Sequence, residues 1–484
     1  MAAKNLSQPT GPASSPNGKG KRATLRTLAF WLGTGALSAG VLLHLPDFLT
    51  YSPRFGGMTM DPSMGAMPIS GMMILGMLLI ALGFGLAVYG LYPRKSERQR
   101  THDGQHRFLL RTMDDNPMTW AQWRTAGVLV VALVVDVMKP ATLGFIIPGA
   151  RAEYGLTPIQ IAMWPVVALL GTTVGSILWG MLADTLGRRT GILLASLLFV
   201  GTAICGVMPT YELNLLMCFF MGMSAGGMLP IEFALFSETM PRRKRGFLLV
   251  LTAGLGTAGG YLVASSASAY LDPFFGTWRV LWLLGLPTGL LVIVLRSFIP
   301  ESPRFLLSQG RVEEARRTMR SFGIVMEETA NTPAEAPAPA SSEKHESGLS
   351  HYTGMGQLFK GPYLAQTVAL MLLGISWGLV NWGFITWLPA LLKDAGLQAG
   401  SKILAKSALF ALPGTVLAAC LYGWWSSKRT MVIFTAAVVT VLAGFALFNT
   451  SIADHPTTLL LLMAGLLVAS TGVISMLMPY AAEV

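Results

Sequence analysis

The chain has 484 residues, 52% of them hydrophobic and only 12% charged, against roughly a quarter charged in ordinary soluble domains, so a solvated globular enzyme is excluded. Its 53 Gly and 28 Pro are scattered through long apolar runs, which excludes collagen and a disordered chain. The net charge of +11 falls between those runs, where it reports membrane topology rather than nucleic-acid binding.

A span needs about 20 mostly apolar residues to cross a hydrocarbon core of about 30 Å. Behind a tail of residues 1–26, two spans are predicted at 27–46 and 67–92. A connector of residues 93–125 leads to six more, at 126–147, 158–180, 190–209, 213–237, 247–270 and 280–299. A loop and linker, 300–361, separates these from a last group of four at 362–389, 403–424, 430–449 and 458–481. The loop begins with the amphipathic RVEEARRTMRSF (311–322) and continues into ETANTPAEAPAPASSEKHESG (328–348), whose composition predicts a disordered linker.

Counted by side of the membrane, Lys and Arg number 27 on one face and 5 on the other. Positive charge collects on the cytoplasmic face, so both chain ends and the central loop are expected inside a multi-pass protein of the cell (inner) membrane. The first run follows Lys21, Arg22 and Arg26 and contains Ala36, Ser38 and Ala39. That pattern also fits a cleaved signal peptide, although its length suits a span. Cys205, Cys218 and Cys420 lie inside apolar runs with no thiolate-metal spacing, as small buried apolar residues do. Met58, Met60, Met64, Met67, Met72 and Met73 crowd the connection before the second span. Thioethers suit Cu(I), but no Cys accompanies them, and a flexible approach to the span is the simpler reading.

The two later groups read as copies of one unit. Each has a span ending in Gly, a short basic turn and a new span: GMLADTLGRRTGILL (180–194) and GWWSSKRTMVIFT (423–435). Two spans later each places a carboxylate at a helix end, Glu238 and Glu483. The Arg-Thr pairs are 240 residues apart and the carboxylates 245, nearly one offset, as a duplication requires.

GMLADTLGRRTG (180–191), SETMPRRKRG (237–246) and PESPRFLLSQGRVEEA (300–315) together resemble the signature loops of the major facilitator superfamily, in its sugar-porter branch and that branch's organic-acid:proton symporter relatives. The resemblance covers residues 126–484. It implies an all-α bundle of two six-helix halves that rock about a midplane site. Two extra spans precede that core, and the chain stops at Val484, where the duplicated Glu-x-x-Pro-x-x-x-Arg-Gly motif should continue. The expectation is therefore a four-helix, incomplete C-terminal half (362–484), a fragment lacking the last two core helices rather than a ten-helix variant.

Asp136 sits about ten residues into the first core helix, about 15 Å deep, with Lys139 at i+3 on the same face. Charges at that depth are expensive and mark ion or substrate pathways. Two readings stay open: Asp136 is a proton site whose surroundings change as the halves rock, or Asp136 and Lys139 form a permanent pair that fixes packing. The resemblance implies a proton-coupling carboxylate in this helix. Many organic-acid relatives carry a second Asp where this chain has Lys139, which makes Lys139 a candidate to receive an anionic substrate. Glu232, about 9 Å inside its helix end, is either a second proton stop or the partner of a loop arginine.

In GISWGLVNWGFITWLPALL (374–392), Trp377, Asn381 and Trp382 recur at helical spacing, aromatic faces plus one amide that suit a planar or polyhydroxylated ligand. Trp387 fits an interfacial belt. The loops read as a conformational latch: Gly180 and Gly187 allow close approach and a tight turn, and Asp184, Arg188, Arg189, Glu238, Arg245, Glu301 and Arg304 offer charges that pair in one state and part in another. The family's counterpart of Asp184 meets the eleventh core helix. Arg242, Arg243 and Lys244 read as plain topology. Gly256, Gly259 and Gly260 partly resemble the signature of drug:proton antiporters without its proline, and more simply permit close helix packing.

No nucleophile elbow, phosphate loop or metal-ligand pair appears, so neither an enzyme, a cofactor nor a metal is expected. The expected function is secondary active transport of a small organic solute, an organic acid or sugar-like metabolite, by proton-coupled alternating access. The alternatives are a nontransporting membrane sensor or scaffold and a drug:proton antiporter.

Overall fold

The computed structural model describes residues 16–50, 69–92, 108–109, 118–323, 327–328, 361, 363–397, 400–448 and 455–483. Among these, twelve helices are long and apolar enough to cross a membrane, one for each predicted span. The methionine-rich stretch from Met58 to Met67 and nearly all of 328–348 lie outside the described residues.

Helices α1 (Pro16–Leu42), α2 (Leu45–Thr50) and α3 (Gly71–Leu91) form an N-terminal hairpin. Glycines set its closeness: a Cβ at Gly83 would strike the backbone of Gly33 and Leu37, and one at Gly40 the Gly76 carbonyl. The hairpin packs on the core through Phe48, against Gly206, and through the rings of Phe30 and Trp31, which lie 4.5 and 4.6 Å from the Arg296 guanidinium.

The next group comprises α4 (Trp120–Tyr154), α5 (Pro158–Leu186), α6 (Arg188–Gly201) with a 3-10 continuation Thr202–Val207, α7 (Tyr211–Thr239), α8 (Arg242–Phe275), and the broken pair α9 (Val280–Leu283) and α10 (Gly285–Val294). Capping sets their limits. Thr119 with Gln122 and Thr157 with Gln160 close capping boxes at the starts of α4 and α5, satisfying amides that have no partner inside the helix. α4 outruns its predicted apolar stretch at both ends, because the cap lies at Thr119 and the left-handed stop at Gly155 (φ 61°). Gly256, Gly259 and Gly260 meet Leu133, Val134 and Val137 of α4, the close packing expected of them.

Two short helices follow, α11 (Pro303–Ser308) and α12 (Val312–Ser321). α12 is amphipathic as its sequence predicts, with Ala315 and Met319 buried. Met319 and Phe322 pack with Ala121 and Leu307. The last group is α13 (Tyr363–Val380), a π-helical turn Asn381–Ile385, α14 (Leu388–Asp394), α15 (Gly400–Trp424), α16 (Ser427–Leu447) and α17 (Pro456–Glu483). The two groups meet along α8 and α15: Ser268 and Ser401 hydroxyls are 3.0 Å apart at one end, Gly254 faces Thr415 further along, and Phe247 stacks on Trp424 with ring centroids 5.8 Å apart at the other. Cys205 and Cys218 are buried free thiols.

Candidate functional site

Between the groups lies a cavity of about 370 Å³ whose walls come from α4, α5, α7, α8, α13, the π turn, α14 and α17. It gathers helix irregularities. Pro140 has no N–H for the carbonyl of Asp136 four residues earlier, and Pro230 none for Gly226; all four residues line the cavity. The π turn that begins at Asn381 opens onto it as well, and such bulges concentrate at functional sites.

Asp136 stands near the midpoint of α4, 3% exposed, on the cavity wall. Its Oδ1 is buried without a hydrogen-bond partner, and among the described residues it has no ion pair. The permanent Asp136–Lys139 pair that the spacing allowed is therefore not formed. Lys139 is 1% exposed and turned the other way. Its Nζ donates to the Phe199 carbonyl (2.7 Å) and the Thr202 hydroxyl (2.6 Å), where α6 tightens into its 3-10 turn. It lies 4.5 Å from the Phe199 ring centroid and 5.9 Å from that of Trp282. Lys139 does not line the cavity.

Glu232 is 2% exposed, with both carboxyl oxygens buried and without a hydrogen-bond partner, and among the described residues no loop arginine is paired with it. It does not line the cavity, and its charge interacts with that of Asp136.

Trp377, Asn381 and Trp382 all line the cavity. The Trp377 indole N–H donates to the Ser470 carbonyl at 3.1 Å, which fixes the ring across α13 and α17. Trp387 packs against the core rather than the cavity. Tyr261 is a wall residue that the sequence reading did not single out. It is 9% exposed, its hydroxyl is buried without a partner, and its ring lies 5.7 Å from that of Phe145. Thr257, one helical turn earlier, lines the same wall, and that i, i+4 pair of hydroxyls was the available signal.

The expected latch is one network inside the first group. Glu301 Oε1 accepts from the backbone N–H of Arg188 (2.7 Å), Arg189 (3.3 Å) and Ser302 (3.1 Å), placing a carboxylate on the N-terminus of α6, where the helix dipole favours it. Burial pushes the Glu301 carboxyl above the usual carboxylate range, opposed by those N–H groups. The Arg188 side chain bonds Asp184 and lies 3.7 Å from Glu238. Gly187 (φ 105°) is required, since a Cβ there would strike Glu301. A Cβ at Gly180 would meet nothing within 4 Å, so the close approach expected there is not made. Arg245 donates to the Met240 carbonyl at 3.2 Å. Arg304 is exposed and takes part in none of these bonds.

At the far end of the cavity the groups touch through Gly144, which abuts the Thr386 carbonyl, and through an exposed Arg151–Asp394 ion pair of 3.4 Å.

Twelve candidate spans among the described residues, six of them walling a cavity that holds a buried acid, are the build of a multi-pass membrane transporter. The family model described as Major Facilitator Superfamily matches residues 128–484, and the chain belongs to that family. It is 27% identical to the niacin transporter NiaP of Acinetobacter baylyi over 334 residues, covering 68% of this chain and 73% of that one. It is 28% identical to the 4-hydroxybenzoate transporter PcaK of the same organism, covering 74% and 77%. A partially occluded, inward-open structure of the xylose transporter XylE from E. coli matches with a TM-score of 0.57 at 16% identity, over 75% of this chain and 85% of that one. That last likeness speaks for the fold.

Proposed function

We propose that this transporter carries a small aromatic acid together with a proton through the central cavity, in the direction of uptake. The observation that carries the reading is the Asp136 carboxyl, buried without a partner on the wall of a cavity lined by Trp377, Trp382 and Tyr261. An acid left unpaired at this depth marks an ion pathway, and aromatic walls with few polar groups suit a flat solute. The names of the relatives, niacin and 4-hydroxybenzoate transporters, point to ring-bearing monoacids.

In this reading Asp136 takes a proton from one compartment and gives it up to the other as the halves rock. Glu232 is a second stop behind it. Trp377 and Trp382 sandwich the ring and Asn381 supplies a directional hydrogen bond. The Asp184, Arg188, Glu238 and Glu301 network holds the loops of the first half as one rigid piece. The distribution of Lys and Arg supports cytoplasmic chain ends and a cytoplasmic loop of residues 300–361, in a protein of the cell's inner membrane.

The test is uptake of radiolabelled 4-hydroxybenzoate into proteoliposomes under an acid-outside gradient. Accumulation that collapses on addition of a protonophore is expected. A sensor or scaffold gives no uptake, and a drug:proton antiporter gives uptake only when the gradient is reversed.

A further inference from the structure

Arg296 lies two residues inside the end of its span (Val280–Phe298), and Arg26 two inside the start of the first span (Thr24–Thr50), which sets both near the headgroup level of a bilayer. They meet where the N-terminal hairpin docks on the core. The Arg296 guanidinium rests against the rings of Phe30 and Trp31, 4.5 and 4.6 Å from their centroids. Arg26 precedes Phe30 by one turn on the same face of α1; its guanidinium lies 5.9 Å from the Tyr89 ring centroid and gives one N–H to the Tyr92 carbonyl at 2.6 Å. Arg124 of α4 adds a further charge beside the same turn, 5.0 Å from the Phe298 ring centroid. Among the described residues none of these arginines forms an ion pair, and Arg189 adds a like charge that acts on Arg296. A guanidinium stacked on a ring spends its face and keeps its N–H edge, and among the described residues no acceptor meets that edge of Arg296. Trp31 and Phe298 beside it are exposed, on a surface that is apolar on both sides of the seam and so faces lipid.

We propose that the seam between the N-terminal hairpin and the group α4 to α10 seats the phosphate of an anionic phospholipid, held by the N–H edge of Arg296 and flanked by Arg26 and Arg124, so that the lipid straps the hairpin to the core. Arginine takes a phosphate through two parallel N–H···O bonds, and basic pockets between spanning helices at headgroup depth are where such lipids bind. The charge of the seam sets the headgroup class. A zwitterionic lipid brings its own ammonium to a place already crowded with positive charge, whereas phosphatidylglycerol brings the phosphate alone. The hairpin's other hold on the core, Phe48 against Gly206, is apolar and lies at the opposite end of α1. Loss of the lipid therefore frees only the Arg296 end. The seam is remote from the central cavity, and the proposal stands whatever solute that cavity carries.

The experiment is native mass spectrometry of the full chain in detergent, titrated with dioleoylphosphatidylglycerol and, separately, dioleoylphosphatidylcholine. The first phosphatidylglycerol is expected to bind about tenfold or more tightly than phosphatidylcholine. Arg296→Gln removes the charge-assisted pair and should weaken phosphatidylglycerol on the order of ten- to a hundredfold. Arg317→Gln, an equal loss of charge on the exposed face of α12, should leave its binding unchanged. Hydrogen–deuterium exchange on the unaltered chain decides the matter even if Arg296→Gln does not fold: phosphatidylglycerol, but neither phosphatidylcholine nor inorganic phosphate, should slow exchange at residues 24–31, 86–92 and 293–298 more than elsewhere. Equal binding of the two lipids, phosphatidylglycerol binding that survives Arg296→Gln, or protection that falls elsewhere overturns the proposal. Inorganic phosphate giving the same protection makes the seam a site for soluble phosphate and overturns the lipid strap.

Discussion

Replacing Lys139 in two ways separates a structural lysine from a solute-binding one. Its ammonium makes two charge-assisted hydrogen bonds, to Phe199 and Thr202, and lies against the rings of Phe199 and Trp282. Lys139→Ala removes both bonds and opens a void among α4, α6 and α10, where Gly285 touches the lysine's end. A large-to-small change with lost bonds at a fully buried site costs about 3–5 kcal/mol. Lys139→Met keeps the length of the chain, fills the same space and places a thioether between two aromatic rings. The Phe199 carbonyl still accepts from the Thr202 hydroxyl at 2.9 Å. Exchanging a buried charge for an apolar side chain of similar volume is often near neutral, so the methionine variant should stay within about 1.5 kcal/mol of the parent. Thermal unfolding in detergent orders the stabilities, and solute uptake in proteoliposomes reads function. The expected pattern is a strongly destabilised alanine variant and a methionine variant that folds and transports. A methionine variant that melts like the parent yet neither binds nor transports solute would refute the structural role.

Glu301→Ala leaves the Arg188 and Arg189 amides without their acceptor at the start of α6 and should cost about 1–3 kcal/mol; Glu301→Gln, which keeps an acceptor oxygen, should cost less, as unfolding midpoints will show. Gly83→Leu drives a side chain into the backbone of Leu37 and Gly33, so α1 and α3 should separate. Hydrogen–deuterium exchange should then rise across residues 24–50 and 71–91 while α4 to α8 stay protected; an unchanged hairpin would show that the glycine contacts do not set its packing.

The spans were legible because hydropathy and length decide them, and their ends were less so because caps such as Thr119 and Gly155 lie outside the apolar runs. Asp136 was legible because a midplane charge is rare. The direction of Lys139 was not: i+3 spacing puts two residues on one face, but a long flexible side chain selects its own partners, and here the Phe199 carbonyl and Thr202 hydroxyl at the end of α6 won over the carboxylate. Tyr261 escaped notice because its ring reads as core and its hydroxyl carries no charge; only the fold shows that hydroxyl lacking a partner. The loop charges were recognised as a group, yet their pairing within one half depends on Glu301 folding back onto the start of α6, a contact across more than a hundred residues of sequence that no local pattern encodes.

The most direct test of the account is Asp136→Asn in proteoliposomes, comparing accumulation against a gradient with exchange between labelled and unlabelled 4-hydroxybenzoate on the two sides. The account predicts that exchange survives while proton-driven accumulation is lost, since the site still rocks but no longer carries a proton. Accumulation that persists and still collapses with a protonophore would contradict it.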